Sequence, residues 1–195
     1  MAENTVDNSV ASQVIQEGAS IKQNAHSHKN TKKTVGIVGA IAMIIAVAIL
    51  VTTFLLPVLE VYGVSMSPTL KNGDIVVSIK FCNPQPNDLV AVQHNNKILI
   101  KRVIACQGDW VNIDQNGTVS VNGQPLNEPY VQFQSSGQTN VTFPCQVPRD
   151  HYFVLGDNRE AAIDSRNTAV GFISSDQLAG KLLLRVWPLN KICVF

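Results

Sequence analysis

An uncharged stretch of 26 residues, from Thr34 to Leu59, limits the possible folds of this chain more than any other feature. Nearly all of its residues are apolar or glycine, and charged residues bound it on both sides. A helix rises about 1.5 Å per residue, so about 20 apolar residues cross a hydrocarbon layer roughly 30 Å thick. Pro57 marks the end of such a helix, because proline cannot continue one. We therefore predict one membrane anchor over residues 34–57.

A buried core helix and a cleavable signal peptide are the alternative interpretations of this stretch. Core helices of such length normally keep a polar face, and this stretch has none. Signal peptides begin near the first residue and have a shorter apolar region, whereas 33 mainly polar residues precede this stretch. Both differences favour an uncleaved anchor.

The flanking charges predict how the anchor is oriented. Lys29, Lys32 and Lys33 lie at its N-terminal end, whereas the first basic residue after it is Lys71. Because basic residues are retained on the cytoplasmic side, we expect a single-pass plasma-membrane protein with a cytoplasmic N-terminus. Residues 1–33 contain four lysines, three acids and no aromatic residue, which predicts a disordered tail.

Residues 58–195 are then expected outside the cytoplasm, as one domain. From residue 60 onward the chain contains 11 basic and 11 acidic residues, so this part has no net charge. Such a balance argues against nucleic acid as a partner, because binding it requires a basic surface.

All four cysteines lie in this outer part, at Cys82, Cys106, Cys145 and Cys193. Disulfides form in such compartments, and four cysteines permit three pairings. Reduced, buried cysteines are the alternative for a cell that lives without oxygen. The spacing of the cysteines does not suggest zinc, and we expect neither a metal ion nor a cofactor.

Short β-branched and apolar segments, separated by turn residues, dominate the chain from residue 75 onward. They are IVVSI (75–79), LVAVQ (89–93), KILIKRVIA (97–105), WVNI (110–113), TVSVNG (118–123), YFVL (152–155) and KLLLRVW (181–187). Asn116-Gly117 and Asn122-Gly123 are predicted two-residue hairpin turns. A short helical turn is expected at residues 174–178, and loops from 127 to 150. The predicted fold class is mainly β, an antiparallel extracytoplasmic domain behind one transmembrane helix.

The first candidate for chemistry is the turn GVSMSPTL (63–70), which follows the anchor closely. Glycine, serine and proline also form ordinary linkers. A serine hydroxyl becomes a nucleophile only if a base within hydrogen-bond reach takes its proton.

Histidine is the usual base, but the four histidines are not attractively placed. His26 and His28 lie in the predicted tail, His94 lies in a predicted turn, and His151 begins a predicted strand. The sequence therefore does not favour a Ser-His-Asp triad, although His151 stays open as a base.

Lys101 is the second candidate. It and Arg102 interrupt an apolar strand, and neighbouring strand residues point to opposite faces, so at least one of them is drawn toward apolar surroundings. Arginine keeps its proton in proteins, whereas the pKa of a lysine falls on burial and its neutral amine can act as a base. Arg102 is expected in an ion pair. A lysine that merely extends to solvent is the alternative for Lys101.

The third candidate segment is GDNREAAIDSR (156–166), where three acids and two arginines follow a strand. Such charge density is costly unless the charges pair. Asp157 and Arg159 have the same two-residue spacing as Asp164 and Arg166, which suggests ion pairs that hold loops in place. A solvated loop is the alternative.

Together these segments resemble the bacterial type I signal peptidases, a family of membrane-anchored serine proteases. The resemblance covers residues 58–180 and depends on four segments in order: GVSMSPTL (63–70), GDIVVSIK (73–80), KRVIACQGD (101–109) and GDNREAAIDSR (156–166). It implies an antiparallel β-fold and a Ser/Lys dyad, which corresponds to Ser65 and Lys101.

The resemblance also implies acyl transfer, in which Lys101 takes the proton of Ser65 and water later hydrolyses an acyl-enzyme. The Ser65 backbone N–H and the turn at Gly63 are expected to hold the oxyanion. Shallow pockets should accept small residues, alanine above all, one and three positions before the cleaved bond. Their expected lining is Val61, Met66, Leu70, Val76, Leu99 and Ile100. The expected partners are preproteins with signal peptides, the lipid bilayer and the secretion translocon.

Ala162 departs from the family's pattern. That pattern commonly reads GDNRxxSxDSR, and its first serine is hydrogen-bonded to the lysine amine. The alternative function is therefore a catalytically weak or inactive homologue that binds secreted peptides at the membrane. A self-cleaving repressor shares the Ser/Lys chemistry but requires a DNA-binding domain and no membrane span.

Overall fold

The computed structural model describes residues 37–80 and 83–195. The chain divides into two units, residues 1–52 and 53–195. Helix α1 (Ile37–Leu55) contains the described part of the first unit, and its length and composition suffice to cross a membrane. The predicted tail of residues 1–33 lies outside the described residues, as do the first residues of the predicted anchor. The predicted domain limits stay predictions.

The described part of the second unit is built from twelve strands. They are β1 (Val58–Glu60), β2 (Ile75–Ile79), β3 (Leu89–His94), β4 (Lys97–Cys106), β5 (Trp110–Ile113), β6 (Val119–Val121), β7 (Gln124–Pro125), β8 (Cys145–Gln146), β9 (His151–Leu155), β10 (Ile173–Ser174), β11 (Leu178–Trp187) and β12 (Cys193–Val194). Two short 3-10 helices lie at Ser175–Gln177 and Leu189–Lys191, and the first of them falls in the predicted helical turn.

The strands form two sheets. The larger sheet has the order β1-β2-β11-β3-β4-β9-β10, with β12 paired to β11, and the smaller sheet has the order β7-β6-β5-β8. Each of these strand pairs is antiparallel. The predicted mainly antiparallel β-fold is therefore confirmed.

Strand β3 shows why the larger sheet is stable. It lies between β11 and β4, and its first four residues are buried. Leu89 and Ala91 belong to one apolar cluster, while Val90 and Val92 belong to another. Alternate residues of a strand point to opposite faces, so this sheet is covered by apolar side chains on both sides.

A third apolar cluster joins the two sheets. Ile104 and Phe153 from the larger sheet pack with Val111 and Val119 from the smaller sheet. Phe143 and Phe172 meet the Phe153 ring edge to face, at centroid distances of 6.1 and 6.0 Å. Burial of this aromatic area fixes β4 and β9 against the smaller sheet.

The hairpin turns follow local backbone preferences, with one exception to the sequence prediction. Asn122 and Gly123 both have positive φ, 52° and 78°, and join β6 to β7 as a two-residue turn, as predicted. The prediction for Asn116-Gly117 was wrong. The Asp114 N–H donates to Thr118 O at 3.1 Å, so three residues close this hairpin, with the last of them, Gly117, at φ 86°.

The Asp114 side chain explains the longer turn. Its Oδ1 accepts hydrogen bonds from the backbone N–H groups of Asn116, at 2.9 Å, and of Thr118, at 2.8 Å. An aspartate that captures the N–H two residues later favours this wider turn over a two-residue one.

Three of the four cysteines have free thiols, namely Cys106, Cys145 and Cys193. Cys82 lies outside the described residues. Of the two alternatives left open by the sequence, the described cysteines therefore fit the reduced one.

A buried ion pair holds the loop of residues 156–166. Arg166 donates from Nε to Asp164 Oδ1 at 2.8 Å and from Nη2 to Oδ2 at 2.9 Å, and the Asp164 and Arg166 side chains are 0% and 1% exposed. Asp164 Oδ2 also accepts the Gly156 N–H at 3.0 Å. This pair therefore fixes the loop to the end of β9.

We expect Asp164→Asn to destabilise the fold strongly. It would leave the guanidinium of Arg166 buried without its counter-charge, and breaking a buried pair costs about 3–5 kcal/mol. Asp150→Asn is the matched control, because Asp150 forms an exposed ion pair with Arg149. The same substitution there should change stability by less than about 0.5 kcal/mol. Urea unfolding of both proteins measures the difference, and equal losses would contradict this assignment.

Candidate active site

The Ser65 turn is held by a backbone ladder. The Val61 N–H donates to Asp74 O at 2.8 Å, and the Gly73 N–H donates to Val61 O at 2.9 Å. These bonds close the loop between β1 and β2. Gly63 has φ 86°, which suits glycine, and its N–H donates to Asn72 Oδ1 at 2.9 Å. The turn before Ser65 is therefore held by the backbone bonds of Val61 and by the contact between Gly63 and Asn72.

The carbonyl of Ser65 is seated on the loop of residues 156–166. The Asn158 N–H donates to Ser65 O at 3.0 Å. A Cβ on Gly156 would lie 2.6 Å from Ser65 O and 2.4 Å from the Ala162 Cβ. Only glycine allows this approach, and Ala162 therefore lies beside the backbone of Ser65.

Lys101 reaches Ser65 from the middle of β4. Its Nζ lies 3.1 Å from Ser65 Oγ, and the residue is 3% exposed. Across the strand pair Lys101 lies opposite Val90, and Arg102 lies opposite Leu89, both of which are buried. The two charged side chains therefore leave opposite faces of a buried strand, as the sequence predicts.

The surroundings of Lys101 lower the pKa of its amine. Burial away from water is the largest cause, because it penalises the charged ammonium. The charges of Asp164 and Asp157 act in the opposite direction, and that of Arg166 acts with burial. The surroundings thus shift the amine toward the neutral form that a base requires.

Arg102 anchors the strand beside Lys101. It donates from Nε to Asp157 Oδ1 at 2.8 Å and from Nη2 to Oδ2 at 2.6 Å. Asp157 Oδ2 also accepts the hydroxyl of Thr69, which belongs to the Ser65 loop. The expected ion pair of Arg102 is present, and Asp157 is its partner.

The predicted pairing of Asp157 with Arg159 was wrong. Arg159 instead pairs with Glu128, donating from Nη1 to Oε2 at 3.0 Å and from Nη2 to Oε1. Two-residue spacing in a loop does not decide pairing, because Asp157 and Arg159 each have a partner elsewhere in the fold. Asp164 and Arg166 do pair with each other.

Sequence reasoning missed three residues that hold the site. Thr69 was noted only as part of a turn, Glu128 fell within the loops predicted for residues 127–150, and Asn72 was not singled out. An acid or amide in a loop has no periodic pattern that would distinguish a buried contact from a solvated one. Glu128 could be identified only from its position in the fold, where its side chain is 1% exposed.

A groove of about 490 Å³ ends at Ser65 and Lys101. Its walls are the segments 58–63 and 97–101, with Met66 at the inner end. Of the predicted pocket residues, four line this groove: Val61, Met66, Leu99 and Ile100. The structure places Leu70 and Val76 in the apolar cluster beneath it, where both are 0% exposed.

One wall of the groove is a half-strand that, within residues 37–80 and 83–195, pairs with a neighbouring strand on one side only. In the register of β4 with β9, Arg102 pairs with Leu155 and the pairing continues toward Cys106. Residues 97–101 pair with β3 on their other side. The backbone of this half-strand can therefore accept an added extended peptide, as exposed strand edges do.

The histidines of the second unit lie away from this groove. His151 Nδ1 lies 2.7 Å from Arg149 O, and His94 Nε2 lies 3.0 Å from Asn95 Nδ2. Neither residue lines the groove. Within residues 37–80 and 83–195, Lys101 is the side chain placed to take a proton from Ser65.

Comparison with known proteins supports a peptidase assignment. The model of the family described as signal peptidase, peptidase S26, matches residues 34–187. Signal peptidase I of Bacillus amyloliquefaciens is 33% identical over 181 residues, covering 86% of this chain and 97% of that protein. Signal peptidase IB of Staphylococcus aureus (strain COL) is 33% identical over 172 residues, covering 78% of this chain and 88% of that protein.

A crystal structure of a signal peptidase I from Enterococcus faecalis V583 is also similar. It is 30% identical and covers 52% of this chain and 97% of that chain, with a TM-score of 0.43. The family match spans most of the sequence, and the matched residues include both Ser65 and Lys101. The chain belongs to the signal peptidase family, peptidase S26, and is a serine endopeptidase.

Proposed function

We propose that this protein is a signal peptidase I that removes signal peptides from secreted preproteins with a Ser65/Lys101 dyad. The observation that carries the proposal is the 3.1 Å contact between Lys101 Nζ and Ser65 Oγ at a buried position. A serine hydroxyl needs a base at this distance, and a lysine needs burial to become that base.

The reaction begins when the substrate lies extended in the groove. The free edge of residues 97–101 can hydrogen-bond its backbone, which would hold the scissile carbonyl near Ser65. Neutral Lys101 takes the Ser65 proton while Oγ bonds to the carbonyl carbon, and the carbonyl oxygen becomes an oxyanion. The ammonium of Lys101 then protonates the leaving amine, which leaves an acyl-enzyme.

The acyl-enzyme is removed by water in the reverse sequence. Lys101 takes a proton from water, the hydroxide attacks the ester carbonyl, and the proton returns to Ser65 Oγ. We assign the oxyanion to the Ser65 N–H. The Gly63 N–H already donates to Asn72, so Gly63 contributes the shape of the turn and not a donor.

Specificity for small residues follows from the inner end of the groove. Val61, Met66 and Ile100 line it, and each also packs on the apolar cluster that contains Leu70 and Val76. Side chains supported in this way cannot retreat to make room for a large substrate residue. We therefore propose alanine at the positions one and three before the cleaved bond.

We further propose that α1 anchors the enzyme in the plasma membrane with residues 1–33 in the cytoplasm. This orientation places the serine turn, eight residues beyond Pro57, on the outer side. Preproteins meet the enzyme there as they leave the secretion translocon. The bilayer and the translocon are thus its proposed neighbours.

Ser65→Ala and Lys101→Arg should each abolish processing of a preprotein with alanine at both positions. The first variant lacks the nucleophile, and the second keeps a charge that does not lose its proton at any working pH. Lys191→Arg is the matched control, because Lys191 is exposed and does not line the groove. Cleavage is measured by sequencing the new N-terminus. Processing by the Ser65→Ala protein would falsify the dyad.

The kcat/KM of the enzyme should rise with pH along a limb set by Lys101. Burial lowers the pKa of this amine, so the base becomes neutral at a pH below the value of about 10.4 for an exposed lysine. Activity is then lost as the pH falls through the pKa and the amine becomes charged. A peptide assay across pH 6 to 10 measures the midpoint. A limb that disappears in His151→Ala would assign the base to histidine instead.

Ala162→Ser tests whether the departure from the family's pattern limits the rate. Ala162 lies beside the Ser65 backbone, and the family resemblance implies that its Cβ lies near the Lys101 amine. A hydroxyl there should orient the amine and raise kcat with little change in KM, and a tenfold gain corresponds to about 1.4 kcal/mol. Loss of activity in a folded Ala162→Ser protein would contradict this placement.

Turnover of the unaltered protein in the same assay decides between signal peptidase activity and peptide binding without cleavage. Ala162 is the observation that favours a homologue which binds peptides without cutting them. Absence of turnover in the unaltered enzyme, together with measurable peptide binding, would establish that alternative.

A further inference from the structure

The segment 128–130 contacts Arg102 and Arg159, two of the arginines that hold the active-site segments. It lies between β7 and β8, in a part of the chain with little regular structure. Glu128 is nevertheless buried, and Tyr130 is partly buried. Burial of a carboxylate in a loop is unusual unless specific partners hold it.

Tyr130 covers the face of the Arg102 guanidinium. The Arg102 Cζ lies 3.9 Å from the centroid of the Tyr130 ring. The nitrogens of this guanidinium donate to Asp157 and, from Nη1, to Asn87 O at 2.9 Å and Asn87 Oδ1 at 3.1 Å. The hydrogen bonds at the edge of the Arg102 guanidinium fix the orientation of its plane, and the Tyr130 ring packs against the face of that plane. Tyr130 thereby restrains the residue that follows Lys101.

Glu128 engages the second arginine. Its carboxylate accepts two hydrogen bonds from Arg159, and its Oε1 also accepts the Tyr130 hydroxyl at 3.0 Å. Arg159 in turn donates from Nε to Gly156 O at 3.2 Å. Gly156 is the residue against which the Ser65 carbonyl packs. The same carboxylate therefore joins Tyr130 to the loop that seats Ser65.

We propose that Glu128 and Tyr130 form a clip that sets the position of Lys101 relative to Ser65. Tyr130 acts on Arg102 at the strand that carries Lys101, and Glu128 acts through Arg159 on the loop beneath Ser65. The hydroxyl of Tyr130 couples the two halves of the clip. Both are positioning residues, and their proposed effect depends on the dyad proposed above.

The clip matters because the dyad joins two segments 36 residues apart. A proton passes between Lys101 and Ser65 only while their hydrogen bond keeps its length and direction. Displacements of about 1 Å in such sites reduce rates by about a hundredfold. The substrate groove contains neither Glu128 nor Tyr130. Loss of the clip should therefore lower kcat and leave KM nearly unchanged.

The test compares Tyr130→Leu with Tyr130→Phe in the detergent-solubilised full-length protein. The substrate is a peptide with alanine one and three residues before the cleaved bond. Leucine removes the ring, and we expect kcat per folded molecule to fall about tenfold, equivalent to about 1.4 kcal/mol. Phenylalanine keeps the ring but loses the hydroxyl, and its kcat should fall about threefold, or about 0.7 kcal/mol. KM should change less than about twofold in both.

The pH profile separates positioning from a general loss of structure. If Lys101 shifts toward water in Tyr130→Leu, the pKa of its amine rises, and the alkaline midpoint of kcat/KM moves to higher pH. Phe133→Leu is the matched control, because Phe133 lies three residues away and is 77% exposed. That variant should keep the kcat and the midpoint of the unaltered enzyme. The folded fraction of each protein is measured by near-ultraviolet circular dichroism.

Two results would overturn the clip. One is a Tyr130→Leu protein whose kcat per folded molecule equals that of the unaltered enzyme. The other is a Tyr130→Phe protein with unchanged kcat, and this variant decides the question if Tyr130→Leu does not fold. Ser65→Ala in the same assay separates the two proposals. Cleavage by that variant rejects the dyad, whereas its inactivity beside a fully active Tyr130→Phe rejects the clip alone.

Discussion

The carboxylate of Asp157 joins the two segments on which the active site depends. Its Oδ2 accepts a hydrogen bond from the hydroxyl of Thr69, which lies in the loop that carries Ser65. Both of its oxygens accept hydrogen bonds from Arg102, which lies on the strand that carries Lys101. Buried ion pairs contribute little net stability compared with apolar residues, because desolvation offsets their attraction. Their geometry is directional, however, and a packed apolar contact would not fix two segments to within a fraction of an ångström.

The same pairing protects the chemistry of Lys101. A free carboxylate near the amine would stabilise its ammonium form and raise its pKa. Asp157 and Asp164 act in this direction, but each is already paired, the first with Arg102 and the second with Arg166. The Arg166 charge opposes these two carboxylates at Lys101, and burial, the largest cause, lowers the pKa of the amine. Acidic residues can thus support the loop around a lysine base without holding it protonated.

Features that depend on residues close together in the chain were predicted correctly more often than features that depend on distant residues. The longer strands and the turn at Asn122-Gly123 depend on side-chain alternation and local φ preferences, and the sequence predicted them. It missed five strands of two or three residues, β1, β7, β8, β10 and β12, and β8 lies within the loops predicted for residues 127–150. The turn at Asn116-Gly117 failed because the Asp114 side chain competes for backbone N–H groups. The ion pair expected within 157–159 failed because the partners lie 55 and 31 residues away in the chain.

The sequence alone predicts an apolar helix followed by an antiparallel β-domain, with Ser65 and Lys101 as the candidates for chemistry. Hydrophobic length, strand alternation and residue chemistry are local properties, so they can be read without coordinates. Which residues hold that pair together depends on the folded arrangement of the loops. Asn72, Thr69, Glu128 and Tyr130 act through contacts between parts of the chain that are distant in sequence, and the groove exists because β9 pairs with only half of β4. Contacts of this kind leave no periodic pattern in a sequence, because they depend on where separate loops meet.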